Sequence, residues 1–195
     1  MFFNRTKGYI NYFKLNKWWK QSFTSFDRKY IESKFSALGS SITLTKGKIL
    51  STDLSLIMLI VSLIDYFDAI KDKNIILKFI QLGDARLKTS SITDQHFFHS
   101  IKSKFLYKLR KEDDEFLRSS ITSAKDQVSL STKASRSFKS KFGSPLPAHE
   151  GYKRLAIYYE QNKQYELAIS YCEKALKQGW KGEWEKRIER IKNKT

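Results

Sequence analysis

The chain has 195 residues, 41% of them apolar, including 14 Phe, 10 Tyr and 4 Trp. That much apolar side chain excludes a disordered polymer and suffices for one domain or a short stack of helical hairpins. Two prolines and eight glycines exclude a turn-rich β fold and favour long helices. The formal charge of +17 divides as +8, −1, +5 and +5 over residues 1–50, 51–100, 101–150 and 151–195. Such a field attracts phosphate-bearing and acidic partners, unless the lysine richness is compositional background.

Cys172 is the single cysteine. No intrachain disulfide can form, which fits a reducing compartment and makes a cytoplasmic location the expectation. Met1-Phe2-Phe3-Asn4-Arg5 lacks the apolar run of a secretory signal. The most apolar stretch, Leu54 to Ile64, is fenced by Asp53 and Asp65. At 1.5 Å per residue it covers about half a bilayer core, so it predicts a buried helix and no membrane span.

In chain order, residues 9–22 predict a short helix in which Tyr9, Tyr12, Phe13, Trp18 and Trp19 alternate with Lys14, Lys17 and Lys20. Thr24-Ser25-Phe26-Asp27 reads as a capping box. It opens a helix to about Leu38, with Phe26, Tyr30, Ile31 and Phe35 near one face and Gly39-Ser40-Ser41 as its stop. Ser51-Thr52-Asp53 is expected to cap a helix over 52–70, apolar almost all round and therefore covered on most sides. A further helix is expected over 75–87, with Ile76, Phe79, Ile80 and Leu82 turned inward. Phe97, Phe98, Ile101, Phe105, Leu106 and Leu109 predict a helix over 94–110. After the acidic turn Glu112 to Glu115, helices are expected over 116–130 and 133–141. Gly143-Ser144-Pro145-Leu146-Pro147 marks the sharpest boundary.

Beyond it, Tyr152, Leu155, Ala156 and Tyr159 are followed by Ala168, Cys172 and Ala175. Small residues at Ala156, Ala168 and Ala175 let two helices cross closely, and Tyr152, Tyr159 and Tyr165 fill the space beside them. The pattern resembles a tetratricopeptide repeat. It departs from the family where Tyr152 stands for the usual Trp, Ala156 for Gly and Trp180 for the terminal Pro. Gly179 ends the second helix. Trp184, Ile188 and Ile191 predict an amphipathic helix that caps the stack. Ser120-Ile121, Ala124 and Val128 align with Ala168-Ile169, Cys172 and Leu176, so the helix from His96 to Leu109 and its successor read as a degenerate earlier repeat.

The resulting expectation is an all-α protein. Residues 1–90 form an N-terminal helical region. Residues 91–195 hold hairpins stacked as a short tetratricopeptide-like solenoid. The resemblance implies a protein-interaction groove lined by Lys153, Ile157, Glu160 and Gln161, with Ile157 standing where the family's carboxylate clamp has Asn. The alternative is nucleic-acid binding, with Lys14, Lys17, Trp18, Trp19 and Lys20 combining charge with base stacking.

No catalytic chemistry, cofactor or metal is predicted. His96 and His99 share a helix face but lack further ligands, and read as partly buried side chains beside Phe97 and Phe98. Cys172 falls at a packed repeat position rather than beside a base. The carboxylates Glu112 to Glu115 form an exposed turn, unsuited to a shifted pKa. Gly47-Lys48 is too short for a phosphate loop.

Overall fold

The computed structural model describes residues 7–36 and 44–194. The expected helix stop at Gly39-Ser40-Ser41 and the start Met1 to Arg5 lie outside the described residues. The protein is mostly α-helical, with ten helices and one two-stranded sheet among those residues. It divides into two compact units, residues 1–85 and 86–195.

The first unit begins with two short helices, α1 (Gly8–Tyr12) and α2 (Asn16–Ser22), where the sequence suggested one. The chain breaks between them because Lys14 takes a left-handed conformation, φ 57°, which a β-carbon disfavours in a continuing helix. Helix α3 (Ser25–Ser36) opens with the predicted capping box. The Thr24 backbone N–H donates to Asp27 Oδ2 at 3.0 Å, and the Asp27 N–H donates to Thr24 Oγ1 at 3.1 Å. These bonds hold the Asp27 carboxyl below its usual pKa. Phe26, grouped with Ile31 near one face, is 78% exposed. Ile31 instead carries the contact to the core, at 0%.

Helix α4 (Leu56–Tyr66) starts later than the sequence suggested, because Ser55 is its cap and accepts from the Met58 N–H. Ile57, Leu59, Ile60, Leu63 and Ile64 are all buried. Helix α5 (Lys73–Arg86) lays Ile76, Phe79 and Ile80 on the same core. Asp72, buried just before it, accepts from the Tyr30 hydroxyl and the Asp68 N–H, each at 3.0 Å. A buried carboxylate is stable there because both of its oxygens are bonded.

The second unit opens with a 3₁₀ turn (Leu87–Thr89) and then α6 (Ile92–Lys108) and α7 (Asp114–Phe142). The sequence suggested two helices where α7 runs unbroken. No Gly or Pro interrupts 130–142, and Ala134 and Phe138 continue the buried stripe begun by Ile121, Ala124 and Gln127.

A row of buried polar bonds joins α6 to α7. Gln127 Nε2 donates to His96 O at 3.1 Å, Ser123 Oγ to His99 O at 3.2 Å, and Ser103 Oγ to Ser120 O at 3.0 Å. Ser120 Oγ returns the bond to Ser103 O at 2.8 Å. As positions rise on α6 they fall on α7, so the two helices are antiparallel. Serine is small enough to let the backbones approach this closely, and each hydroxyl is paired.

Strand β1 (Leu146–Ala148), helices α8 (Glu150–Gln161) and α9 (Tyr165–Gln178), strand β2 (Trp180–Lys181) and helix α10 (Trp184–Lys192) complete the unit. The strands, absent from the sequence reading, pair in parallel with Leu146 opposite Trp180. Ala156, Ala168, Cys172 and Ala175 are all at 0% exposure where α8 and α9 meet. Gly179 ends α9 at φ 84°, a left-handed conformation that costs glycine little. Its N–H donates to Leu176 O at 2.9 Å. Among the described residues, no helix is long and apolar enough to cross a membrane.

Candidate functional site

Two features of the second unit concentrate polar chemistry. One is a buried histidine pair at the foot of α8. The other is a cleft between α8, β2 and α10.

His149 caps α8. Its Nδ1 accepts the Tyr152 backbone N–H at 3.2 Å, so the ring carries its proton on Nε2. Gln127, on α7, accepts the Gly151 N–H on Oε1, and this fixes the amide with its NH₂ toward His96. That NH₂ lies 3.2 Å from His96 Nε2, which therefore accepts, and His96 carries its proton on Nδ1. The two proton-bearing nitrogens, His96 Nδ1 and His149 Nε2, are buried without a hydrogen-bond acceptor among the described residues.

They are enclosed instead by rings. His96 stands edge-on to His149 at 4.9 Å between centroids and to Phe138 at 5.2 Å, and His149 is edge-on to Trp180 at 4.7 Å. Aromatic faces accept N–H groups weakly, which suits donors of this kind. Burial, reinforced by His99, lowers the His96 pKa to about 4; burial, reinforced by His96, lowers that of His149 to about 2. Both rings are neutral in the fold.

The sequence places His96 and His99 on one helix face, without the further ligands a metal needs. The fold brings His149 to His96 and turns His99 toward Ser123 at 3.4 Å and Asp126 at 3.9 Å. Among the described residues, no three His, Cys, Asp or Glu side chains gather as a metal site. Cys172 is at 0% exposure, and burial pushes its thiol up to about 11, far from a thiolate nucleophile. Glu112, Asp113, Asp114 and Glu115 are exposed; Asp113 caps α7 and Glu115 pairs with Arg118 at 2.9 Å.

The cleft encloses about 230 Å³ and is walled by Ala148, His149, Glu150 and Lys153 on one side and Lys181, Gly182, Glu183, Trp184 and Arg187 on the other. Gly182 permits the turn into α10, since a β-carbon there would stand 2.4 Å from the Trp184 indole. That indole N–H donates to Trp180 O at 2.7 Å. The acids of the wall are engaged within the chain, Glu150 by Arg154 and Glu183 by Lys186. Lys153 and Lys181 are exposed and have no ion-pair partner among the described residues.

Of the predicted groove residues, Lys153 and Gln161 are exposed and Ile157 is half-buried. Glu160 is not open to a partner. Its carboxylate binds Arg187 at 3.2 Å, Arg190 at 2.6 Å and Lys194 at 2.8 Å, pinning α10 to α8. Burial raises its pKa, but the bonds to Lys194 and Arg190 outweigh this, and the net shift is downward. Arg154, which the sequence reading passed over, is 7% exposed and holds its guanidinium 3.5 Å from the centre of the Tyr107 ring.

Of the two indoles named for stacking in the first unit, Trp19 is buried and Trp18 is half-buried. Trp19 is 2% exposed, and Trp18 leans on Phe23 at 5.4 Å and on Phe79 at 5.7 Å. Lys14, Lys17 and Lys20 are exposed beside them. Comparison of the chain with protein-family models, curated proteins and solved structures found no match.

Proposed function

We propose that the second unit is a short tetratricopeptide-like solenoid that acts as a protein–protein interaction module in the cytoplasm, an adaptor without catalytic chemistry of its own. The observation that carries this reading is the cleft between α8, β2 and α10. It is concave, and the cations Lys153 and Lys181 line it while its acids are paired elsewhere. Ile157 and Gln161 extend the same helix face. The natural partner for such a wall is an acidic peptide segment, drawn by charge complementarity that raises the association rate and sets orientation. Glu160 serves this reading indirectly, by fixing α10 as one wall. The buried single cysteine supports a reducing location.

A photocrosslinking residue at position 153 tests the proposal against one at position 104 on α6. Position 153 should capture a discrete protein, and the purified partner should bind the Lys153→Glu, Lys181→Glu double variant about tenfold or more weakly, a loss of at least ~1.4 kcal/mol. Equal capture at both positions, or unchanged affinity, would sink the cleft as the binding site.

A further inference from the structure

Helix α7 ends in a feature that neither the core nor the cleft explains. No acidic residue lies between Asp126 and Glu150, whereas Lys133, Arg136, Lys139 and Lys141 all do. All four are exposed, and none has an ion-pair partner among the described residues. A solvated helix normally intersperses charges of both signs; this one keeps a single sign over its last three turns.

An aromatic ring stands at the end of the run. Arg136, Lys139 and Phe142 follow one another at spacing i, i+3, i+6, and neighbours at this spacing share a helix face. Phe142 is 75% exposed, against 47% for Leu167 and 41% for Leu176, the other large apolar side chains exposed in this unit. Its ring is rooted against the buried Phe138, centroids 6.1 Å apart, leaving its outer face to solvent. The space beyond is open, since a β-carbon at Gly143 would meet nothing within 4 Å.

The end of α9 flanks the same face. Gln178 Nε2 donates to Thr132 Oγ1 at 3.3 Å, and Lys139 Nζ lies 4.0 Å from where a β-carbon on Gly179 would stand. Lys177, also exposed, adds a further cation beside them. Lys133 to Phe142 rises about 13 Å along the helix, the span of about four stacked nucleotides.

We propose that the C-terminal third of α7 is a docking surface for single-stranded nucleic acid, with Lys133, Arg136 and Lys139, which follow one another at i, i+3 spacing, holding phosphates and Phe142 stacking on a base. Cations beside an exposed ring are the two elements that bind single strands without sequence preference: charge tracks the backbone, and any base has a face to stack. A membrane surface is the poorer fit, because a lone ring buries too little apolar area to anchor a helix. None of these residues lines the cleft, so the proposal stands whether or not the cleft binds a protein.

The test is fluorescence anisotropy of the full chain with a labelled mixed-sequence single-stranded RNA and its matching duplex, across a salt series. The single strand should bind more tightly than the duplex. Arg136→Glu with Lys139→Glu should weaken binding more than tenfold at physiological salt and flatten the salt slope by about 1.4, two phosphate contacts at ~0.7 each. Phe142→Ala should weaken binding about tenfold with the slope unchanged, the loss of one stacked base. Lys108→Glu with Lys111→Glu, an equal change of charge at the α6–α7 turn, should stay within about threefold of the unaltered chain, as charges more than a Debye length away are screened. Circular dichroism of each variant secures the fold. Equal losses in the two charge-reversed proteins, no effect of Phe142→Ala, or equal affinity for single strand and duplex would each overturn the proposal.

Discussion

His96 lies flat against Trp180, ring centroids 5.0 Å apart and planes 8° from parallel, while His149 meets the same indole edge-on. One indole thus gathers a residue of α6 and the cap of α8 around a strand that follows α9. A change in charge on either imidazole is felt by all of these elements, and this makes the second unit sensitive to acid.

The sign follows from the rings being neutral in the fold. Their pKa values are lowered from 6.5 to about 4 and about 2. Above pH ~6.5 the folded and unfolded chains hold the same protons at these sites, and the stabilisation is fully present. As pH falls below ~6.5 the unfolded chain takes up two protons that the folded unit refuses. Stability then declines at up to ~2.7 kcal/mol per pH unit, until His96 itself protonates near pH 4. Urea unfolding at pH 7.5 and 5.0 measures this. His149→Asn keeps a capping acceptor and should halve the slope; a slope equal to that of the unaltered protein would exclude His149 as a source.

Gly151 sits where α8 crosses α7. A β-carbon there would stand 2.7 Å from Ala124 O and 2.9 Å from Gln127 Oε1. Alanine is the better helix former by about 1 kcal/mol, but the backbone carbonyl cannot withdraw without moving α7. Gly151→Ala should therefore destabilise by about 2 kcal/mol, the cost of overpacking, and lower the melting temperature by several degrees. An unchanged or raised melting temperature would mean that the crossing is looser than these distances imply.

Glu160→Gln keeps the size of the side chain and removes the charge that faces Arg187, Arg190 and Lys194. With the carboxylate mostly shielded, the loss should be about 1–2 kcal/mol. It should be felt locally, as faster amide exchange over 184–194 with exchange in α6 unchanged. Uniform acceleration across the unit would show that α10 is not separately pinned.

Cys172 should not react with iodoacetamide in the folded protein and should react at an ordinary thiol rate in urea, since its sulfur is enclosed and its thiol pKa raised to about 11. Labelling in buffer at the rate of a free thiol would contradict the packing of α8 on α9.

What could be read from the residues divides along physical lines. The Thr24–Asp27 capping box and the small Ala156, Ala168 and Ala175 were legible because local hydrogen bonding and side-chain volume decide them. The extent of α7 is not legible because Ser131 and Thr132 look like punctuation. On a helix face closed by tertiary contact, Ser131 is buried and bonded to the Tyr152 hydroxyl at 3.0 Å. The row of serines between α6 and α7 was invisible for the same reason, since serine carries no burial signal until a partner carbonyl faces it. His149 reaching His96, and Glu160 taken by α10, are meetings of distant residues that helical periodicity along one segment does not encode. Alternation of Trp18 and Trp19 with lysine does not encode that Trp19 faces inward while Trp18 is half-buried against Phe23 and Phe79.

The parallel pairing of Leu146 with Trp180 carries one more consequence. The chain passes into α8 and emerges from α9 at neighbouring points and with the same heading, so the intervening helices form a closed detour whose entrance and exit are bolted together. Whatever is added at the far bend, Asn162 to Gln164, lengthens the detour without displacing what comes after it. That bend is where the protein can accept a foreign segment, a reporter or a second binding loop, while α10 keeps its seat.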